Sequence, residues 1–504
     1  MGFIMPAAQE TERVWPMDSV FQGLTGRIVL PGSPLYNEAR QEWNRAIQQY
    51  PVVIDYCQNE GDVSNAVLWA REHRVPIRIR SGGHNYEGYS NGNCTLVIDI
   101  SEMNAMEIDE CEGMLHTQAG VTNGQVYGFV SSRGYPFPGG TCPTVGVSGF
   151  VSGGGWGLSC RMLGLGCDSL VEIKVVNFEG RVLTANRVCN ADLFWACRGA
   201  GGGNFGIITA MTFRLPPKVD LVTLIEIDYL HVSPREQVRF LQTWQHWLKT
   251  ADDRMTLIAR IYNSPSDGLA MLVRGIFYGE PGEARQILKC FLALDNAESS
   301  LEYVSFLEAV TVIGSSYPPF EKFQSFSRFA LRELTVGECE ALANIISRPP
   351  QGSAFAGVSL YALGGRVART DVDDTAFFYR RAGYILWLET VWEDNRFARE
   401  NADWISLWFP CLASMAGGSY VNFPYNGLPC YLEEYYGAHA EMLRKIKEKY
   451  DPDHVFAFPQ GIGGYGIMRH AWLEDGAFDE TGELPETRTD TFNHRGFQYV
   501  RKQA

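Results

Sequence analysis

Apolar and polar positions change period several times along the chain. At 64–74 (SNAVLWAREHR) apolar side chains return at helical spacing, and the stretch is predicted as a surface helix. VPIRIRS (75–81) alternates strictly, which predicts a strand carrying Arg78 and Arg80 on one face. TLVIDIS (95–101) predicts another strand. Between the two lies SGGHNYEGYSNGN, with Gly82 and Gly83 suited to a backbone that must approach something closely. A second glycine-rich block, YPFPGGTCPTVGVSGFVSGGGWGLSCRMLG, fills 135–164. The hairpin that follows is predicted at about 170–178 and 181–185, turning at Glu179-Gly180. A third glycine cluster runs from Gly199 to Gly206 and leads into a strand that stops at Pro216-Pro217, where we draw the first domain boundary.

From 218 to 418 the pattern changes. Strand-like runs (LVTLIEIDYL, RMTLIARIY, LAMLVRGIFYG, GYILWLETVW) alternate with amphipathic helices (PREQVRFLQTWQHWLKT, GEARQILKCFLA). This predicts an antiparallel sheet covered by helices on one face. GGSYVNFPYNGLPC and the helix HAEMLRKIKEKYDP return to the character of the first region. The expected division is therefore 1–217, 218–418 and 419–504, the last part rejoining the first domain. The polar tail after Gly461 has no strong period, and no internal repeat is visible.

Composition narrows the function. A chain of 504 residues, 45% hydrophobic and 20% charged, is ordinary for a globular protein of two or three domains. A net charge of −15 argues against nucleic acid or anionic membrane as a partner. No apolar run reaches the roughly 18 residues of a membrane span. The start, MGFIMPAAQETERVW, lacks the basic n-region of a signal peptide, and Pro6 argues against myristoylation at Gly2. A cytoplasmic location is the expectation. The twelve cysteines include no CxxC pair and are expected to be mostly thiols, with no metal site.

Glycine loops at strand ends let backbone N–H groups point at a phosphate. Three of them within one region suggest a large diphosphate ligand, whereas SGFVSGGGWG lacks the arrangement of a nicotinamide-binding fingerprint. His84 by itself reads equally well as a histidine hydrogen-bonded in a hairpin loop between the two strands. Cys142, in the proline-stiffened GGTCPTVG, reads equally well as a small buried residue.

In IRIRSGGHNYEGYS, GGTCPTVGVSGFVSGGGWG, GGGNFGIIT, SYVNFP and YYGAHAEMLRKIKEKYDPDHVFAFPQGI, in this order over about 40–462, the chain resembles the berberine bridge enzyme-like flavoproteins of the vanillyl-alcohol oxidase superfamily. The resemblance implies an α+β, two-domain vanillyl-alcohol oxidase-type fold: an FAD-binding domain formed by 1–217 with 419–504, and a substrate domain at 218–418. It implies FAD bound twice covalently, through His84 to the flavin 8α-methyl and through Cys142 to C6. Phosphate contacts map to Ser81, Gly82, Gly83 and Asn85, with Arg80 leading into them. Further cofactor contacts map to Gly146, Gly149, Gly153, Gly154, Gly206, Ile207 and Asn422. Val145, three residues after the cysteine, maps to an oxygen gate; valine there favours an oxidase that releases hydrogen peroxide. The chain departs from the family at Ser148 and Phe150, at His439 in place of asparagine, and at Phe423 in place of tyrosine.

Oxidising an alcohol also needs a base. Tyr420, Tyr425 and Glu389 are the candidates, with Tyr86 and Trp387 as walls of the substrate site. Three activities remain open at this point. The first is oxidation of a hydroxyl on a sugar, secondary-metabolite alcohol or hemiacetal, with O2 as co-substrate. The second is oxidative bond formation or ring closure, and the third a structural role for a flavin-holding protein. Oligomeric state is not legible.

Overall fold

Ile77–Arg80 forms β3 and Leu96–Asp99 forms β4, and these two strands pair in parallel. Parallel neighbours cannot be joined by a tight hairpin, because the chain must return to the same end before starting again. The glycine-rich segment 81–95 is therefore a crossover and not a turn. With β1 (Arg27–Val29) and β2 (Val53–Tyr56) they make a four-stranded sheet ordered β1-β2-β4-β3. The computed structural model describes residues 21–464, and Thr25–Gly464 form one compact unit. The readings made above on the N-terminal fifteen residues and on the tail beyond 464 lie outside the described residues.

The helix Glu60–His73 starts four residues before the predicted stretch. The Asn59 side chain accepts from the Asp62 N–H, which supplies the missing partner at the N-terminus. At the other end Arg74 closes it in the left-handed region, at φ 55°.

The second sheet holds β5 (Met106–Asp109), β6 (Met114–Gln118), β7 (Leu170–Val176), β8 (Val182–Asn186) and β9 (Ile207–Arg214), in the order β5-β6-β9-β7-β8, all antiparallel. The hairpin β7–β8 turns at Gly180, at φ 73°, as the sequence predicts. The third sheet has seven antiparallel strands: β10 (Val222–Tyr229), β11 (Met255–Ser264), β12 (Gly268–Phe277), β13 (Glu298–Val304), β14 (Phe323–Ala330), β15 (Ser353–Ala362) and β16 (Tyr384–Trp392). They are ordered β13-β10-β12-β11-β15-β16-β14. The helices Pro234–Thr250, Val336–Ile346 and Ala398–Met415 pack on one face. Pro234–Thr250 matches its predicted bounds because Ser233 and Glu236 form a capping box at its start.

The opposite face of the large sheet meets the glycine-rich blocks. Arg161, at the end of the second block, donates to the carbonyls of Ala251 and Met255, both at 2.9 Å, and to that of Leu363. Buried Lys447 donates to the carbonyls of Asn204 (2.6 Å) and Phe456 (2.7 Å) and to Asp451 (2.6 Å), which fixes the third glycine cluster to the helix Ala440–Tyr450. Among the described residues no helix is long and apolar enough to cross a membrane, and all twelve cysteines are free.

Candidate active site

The crossover after β3 is folded tightly against its neighbours. A Cβ on Gly82 would lie 2.3 Å from the Gly146 nitrogen and 2.9 Å from the Thr144 carbonyl oxygen, so only glycine lets the first and second loops touch. Gly83, at φ 65°, turns the chain and presents His84. The His84 imidazole stacks on Trp43, with centroids 5.2 Å apart and planes at 23°. The Trp43 backbone N–H donates to the Gly83 carbonyl at 2.8 Å. His84 Nε2 lies 2.8 Å from the Thr144 hydroxyl oxygen, and burial pushes the imidazole down to about 4. The ring is therefore neutral in neutral solution. Arg80 lines the cavity beside this loop, and its Nε donates to Asp99 at 2.5 Å, the pair being buried between β3 and β4.

Cys142 reaches the same hydroxyl from the second loop, with Sγ 3.4 Å from Thr144 Oγ1. The helix Asn123–Ser131 holds that loop still. The Asn123 and Gly124 N–H groups donate to the carbonyls of Val145 (3.0 Å) and Pro143 (2.8 Å), and the Asn123 side chain donates to that of Cys142 (3.3 Å). Thr144 and Gly149 are exposed although most of their neighbours are buried, and a Cβ on Gly149 would meet nothing. A cavity of about 470 Å³ runs beside the loops, lined by Ser81, Gly82, Gly83, His84 and Thr144 on one side and Glu42, Trp43 and Arg45 on the other.

Tyr420 and Asn422 brace the glycine turn that follows. The Tyr420 phenol oxygen accepts from the N–H groups of Gly155 (3.0 Å) and Trp156 (3.1 Å) and from the Asn422 amide (3.0 Å). Asn422 also donates to the Phe150 carbonyl at 2.8 Å. A Cβ on Gly153 would collide with the Asn422 side chain at 2.0 Å. Phe150, one of the departures from the family pattern, packs its ring against Gly140, Gly155 and Gly166 and fills the space behind the loops. His439, another departure, sits between the Ala376 carbonyl (3.2 Å) and Asp373 (3.1 Å). In the third loop a Cβ on Gly206 would lie 2.5 Å from Val175, and Ile207 then enters β9 fully buried.

The large sheet supplies the opposite wall. Arg260 of β11, Ser359 of β15 and Trp387 of β16 are register partners across three strands and share a face. Arg260 Nε donates to the Ser359 hydroxyl at 2.7 Å, and its Nη2 lies 3.4 Å from Glu389 Oε1. Glu389 is buried at 5% exposure, and Oε1 receives no well-aligned hydrogen bond. Two influences compete there. Arg260 favours the carboxylate, while burial and the neighbouring Glu321 oppose it; burial wins and pushes the carboxyl up to about 8. Trp387 packs with Tyr86 (5.7 Å), Tyr361 (6.1 Å) and Phe423 (5.3 Å), and Tyr86 stacks on Phe423 at 5.3 Å and 8°. The Tyr317 hydroxyl sits 2.7 Å from that of Thr141, next to Cys142, and so links this wall to the second loop.

The structure thus brings His84, Cys142, Gly82 and Gly146 together, and places Glu389 and Trp387 on the facing wall with Tyr86 of the first loop packed against Trp387. It directs the other two candidate bases elsewhere. The Tyr420 oxygen is spent on loop N–H groups, and burial pushes it up to about 12. The Tyr425 hydroxyl lies 3.1 Å from Ser406 of the helix Ala398–Met415, on the covered side of the sheet. Residues the sequence did not flag are Trp43, Thr144, Arg260, Tyr317 and Tyr361. An arginine inside the apolar run MTLIARIY was a legible signal for Arg260; the others carried none.

The residues fit a flavin nucleotide. Loops that only glycine allows to meet leave N–H-bearing backbone beside a cleft, with a neutral imidazole and a thiol converging at its edge. Comparisons with known proteins agree. The FAD binding domain family matches residues 51–186, and the family described as berberine and berberine like matches 419–463. The FAD-linked oxidoreductase YgaK of Bacillus subtilis is 36% identical over 447 residues, 87% of this chain and 97% of its own. Berberine bridge enzyme-like D-1 of Nicotiana tabacum is 28% identical over 477 residues, 82% of each. The solved structure of BBE-like 1 from Physcomitrella patens superposes with a TM-score of 0.82 at 26% identity, over 89% of this chain and 99% of that one.

Proposed function

For a chain that belongs to the berberine bridge enzyme-like family of FAD-linked oxidoreductases, we propose an oxidase whose flavin is held by two covalent bonds, at His84 and Cys142. It oxidises a hydroxyl of a small molecule by hydride transfer and passes the electrons to dioxygen, giving hydrogen peroxide. The observation that carries this reading is the convergence of His84 Nε2 and Cys142 Sγ, from separate glycine loops, on one hydroxyl at the cleft edge.

FAD supplies the two-electron acceptor and its reoxidation by dioxygen. The chain's own groups do the rest. His84, kept neutral by burial, has Nε2 engaged by Thr144 and no hydrogen-bond partner at Nδ1 among the described residues, so a ring lone pair is available as nucleophile. Glu389 takes the substrate hydroxyl proton, and Arg260 stabilises the carboxylate form that this requires. Tyr86, Trp387, Tyr361 and Phe423 wall the substrate with flat apolar faces. Val145, on the rigid second loop, admits dioxygen.

The test is an acid-denatured sample of the full-length holoprotein, read by absorbance and intact mass. Flavin should stay with the polypeptide, each of His84→Ala and Cys142→Ala should leave one bond, and the double variant should release it. Wild-type protein that releases its flavin into acid overturns the double attachment.

A further inference from the structure

Thr144 lies between both proposed attachment points and has no other side-chain partner among the described residues. Its backbone is pinned. The neighbouring Pro143 and Val145 carbonyls accept from the first N–H groups of the helix Asn123–Ser131, and the Thr144 carbonyl abuts Gly82. The hydroxyl is therefore held in place by the fold, while its side chain is open to the cleft. Packing does not account for a hydroxyl there, since a valine would occupy the same volume.

We propose that Thr144 is the positioning residue for flavin attachment: it accepts the Nε2–H of His84 and donates its own proton to Cys142 Sγ, coupling the two nucleophiles. This rests on the double attachment proposed above. One hydroxyl has one proton and two lone pairs, so accepting from Nε2–H leaves its own proton for the sulfur. Accepting from Nε2–H fixes the imidazole tautomer whose Nδ1 lone pair is free, and Trp43, stacked on the ring, fixes its plane. Donation to the sulfur holds Cys142 Sγ beside the same hydroxyl.

The chemistry balances. At His84 an N–C bond forms at Nδ1 and one flavin C–H bond breaks, and the Nε2 proton leaves through Thr144 Oγ1, restoring a neutral imidazole. At Cys142 an S–C bond forms and one C–H and the S–H are lost. The two electrons and two protons released per bond pass to dioxygen as hydrogen peroxide.

The experiment compares Thr144→Val and Thr144→Ser with wild type as full-length holoprotein after equal, short expression times. Intact mass and flavin-peptide mapping then give the fraction linked at each residue. In Thr144→Val the His84-linked fraction falls about tenfold, the loss expected when one hydrogen bond that orients a reacting group is removed. Total flavin, acid-released plus retained, and the melting temperature stay at wild-type values. Thr144→Ser restores linkage to within about twofold, since it keeps the hydroxyl. A purely structural lesion would lower total flavin instead. Wild-type linkage in Thr144→Val, or failure of Thr144→Ser to restore it, overturns the role of Thr144 and leaves the double attachment standing. Acid-releasable flavin in wild type overturns both. Should the valine variant not fold, Thr144→Ala against Thr144→Ser reads the same difference.

Discussion

Replacing Glu389 with glutamine keeps the size of a buried side chain on β16 and removes its proton equilibrium. In the folded protein this carboxyl is pushed from 4.5 to about 8, first by burial. At about 1.36 kcal/mol per pH unit, ionising it in the folded state costs about 5 kcal/mol more than in the unfolded chain. The folded state keeps the proton to higher pH than the unfolded state. Its contribution is thus fully present below about pH 4.5 and is lost as pH rises through about 8. Glu42, Asp55 and Glu87, also raised by burial to about 7, act in the same direction but are common to both proteins, so the difference isolates Glu389. Urea unfolding of the holoprotein at pH 5 to 9 should show Glu389→Gln gaining on wild type by about 1.4 kcal/mol per pH unit within the window. Catalysis should move the opposite way. A base must be ionised to act, so anaerobic flavin bleaching by substrate should rise about tenfold per unit below pH 8 in wild type. In Glu389→Gln the rate should drop by about 10²–10⁴-fold and lose that dependence. A variant within about threefold of wild type in bleaching rate, with the same pH profile, would refute the assignment of Glu389 as base.

Tyr420→Phe removes one oxygen that serves two buried backbone N–H groups. It should cost roughly 2–6 kcal/mol in urea unfolding, with the m value unchanged. Gly82→Ala places a methyl group 2.3 Å from the Gly146 nitrogen. The loops must separate, and the purified protein should lose both its flavin absorbance and about 1–3 kcal/mol of stability; full flavin content would contradict the loop contact. Val145→Leu should slow reoxidation of the reduced enzyme by dioxygen about tenfold or more in stopped flow, with anaerobic reduction by substrate little changed; equal slowing of both half-reactions would point to a general distortion instead of a gate.

Much of this molecule can be read locally. The alternation IRIR forces a strand, the box Ser233 and Glu236 starts its helix at the predicted residue, and Gly180 turns its hairpin. The three glycine loops and the two nucleophiles on them were legible because glycine frequency and proline flanking act within a few residues of chain. The partners that give those groups their chemistry were not. Whether β3 and β4 run parallel depends on where the chain returns, which no window of sequence contains. Tyr420 and Tyr425 look alike in SYVNFPY, yet one braces a glycine turn and the other faces Ser406 across the sheet. Arg260 and Glu389 stand 129 positions apart and meet only because β15 lies between their strands. Local pattern determined which residues could be reactive. Sheet order and burial, which sum over contacts distant along the chain, decided which of them share a site and how strongly each holds its proton.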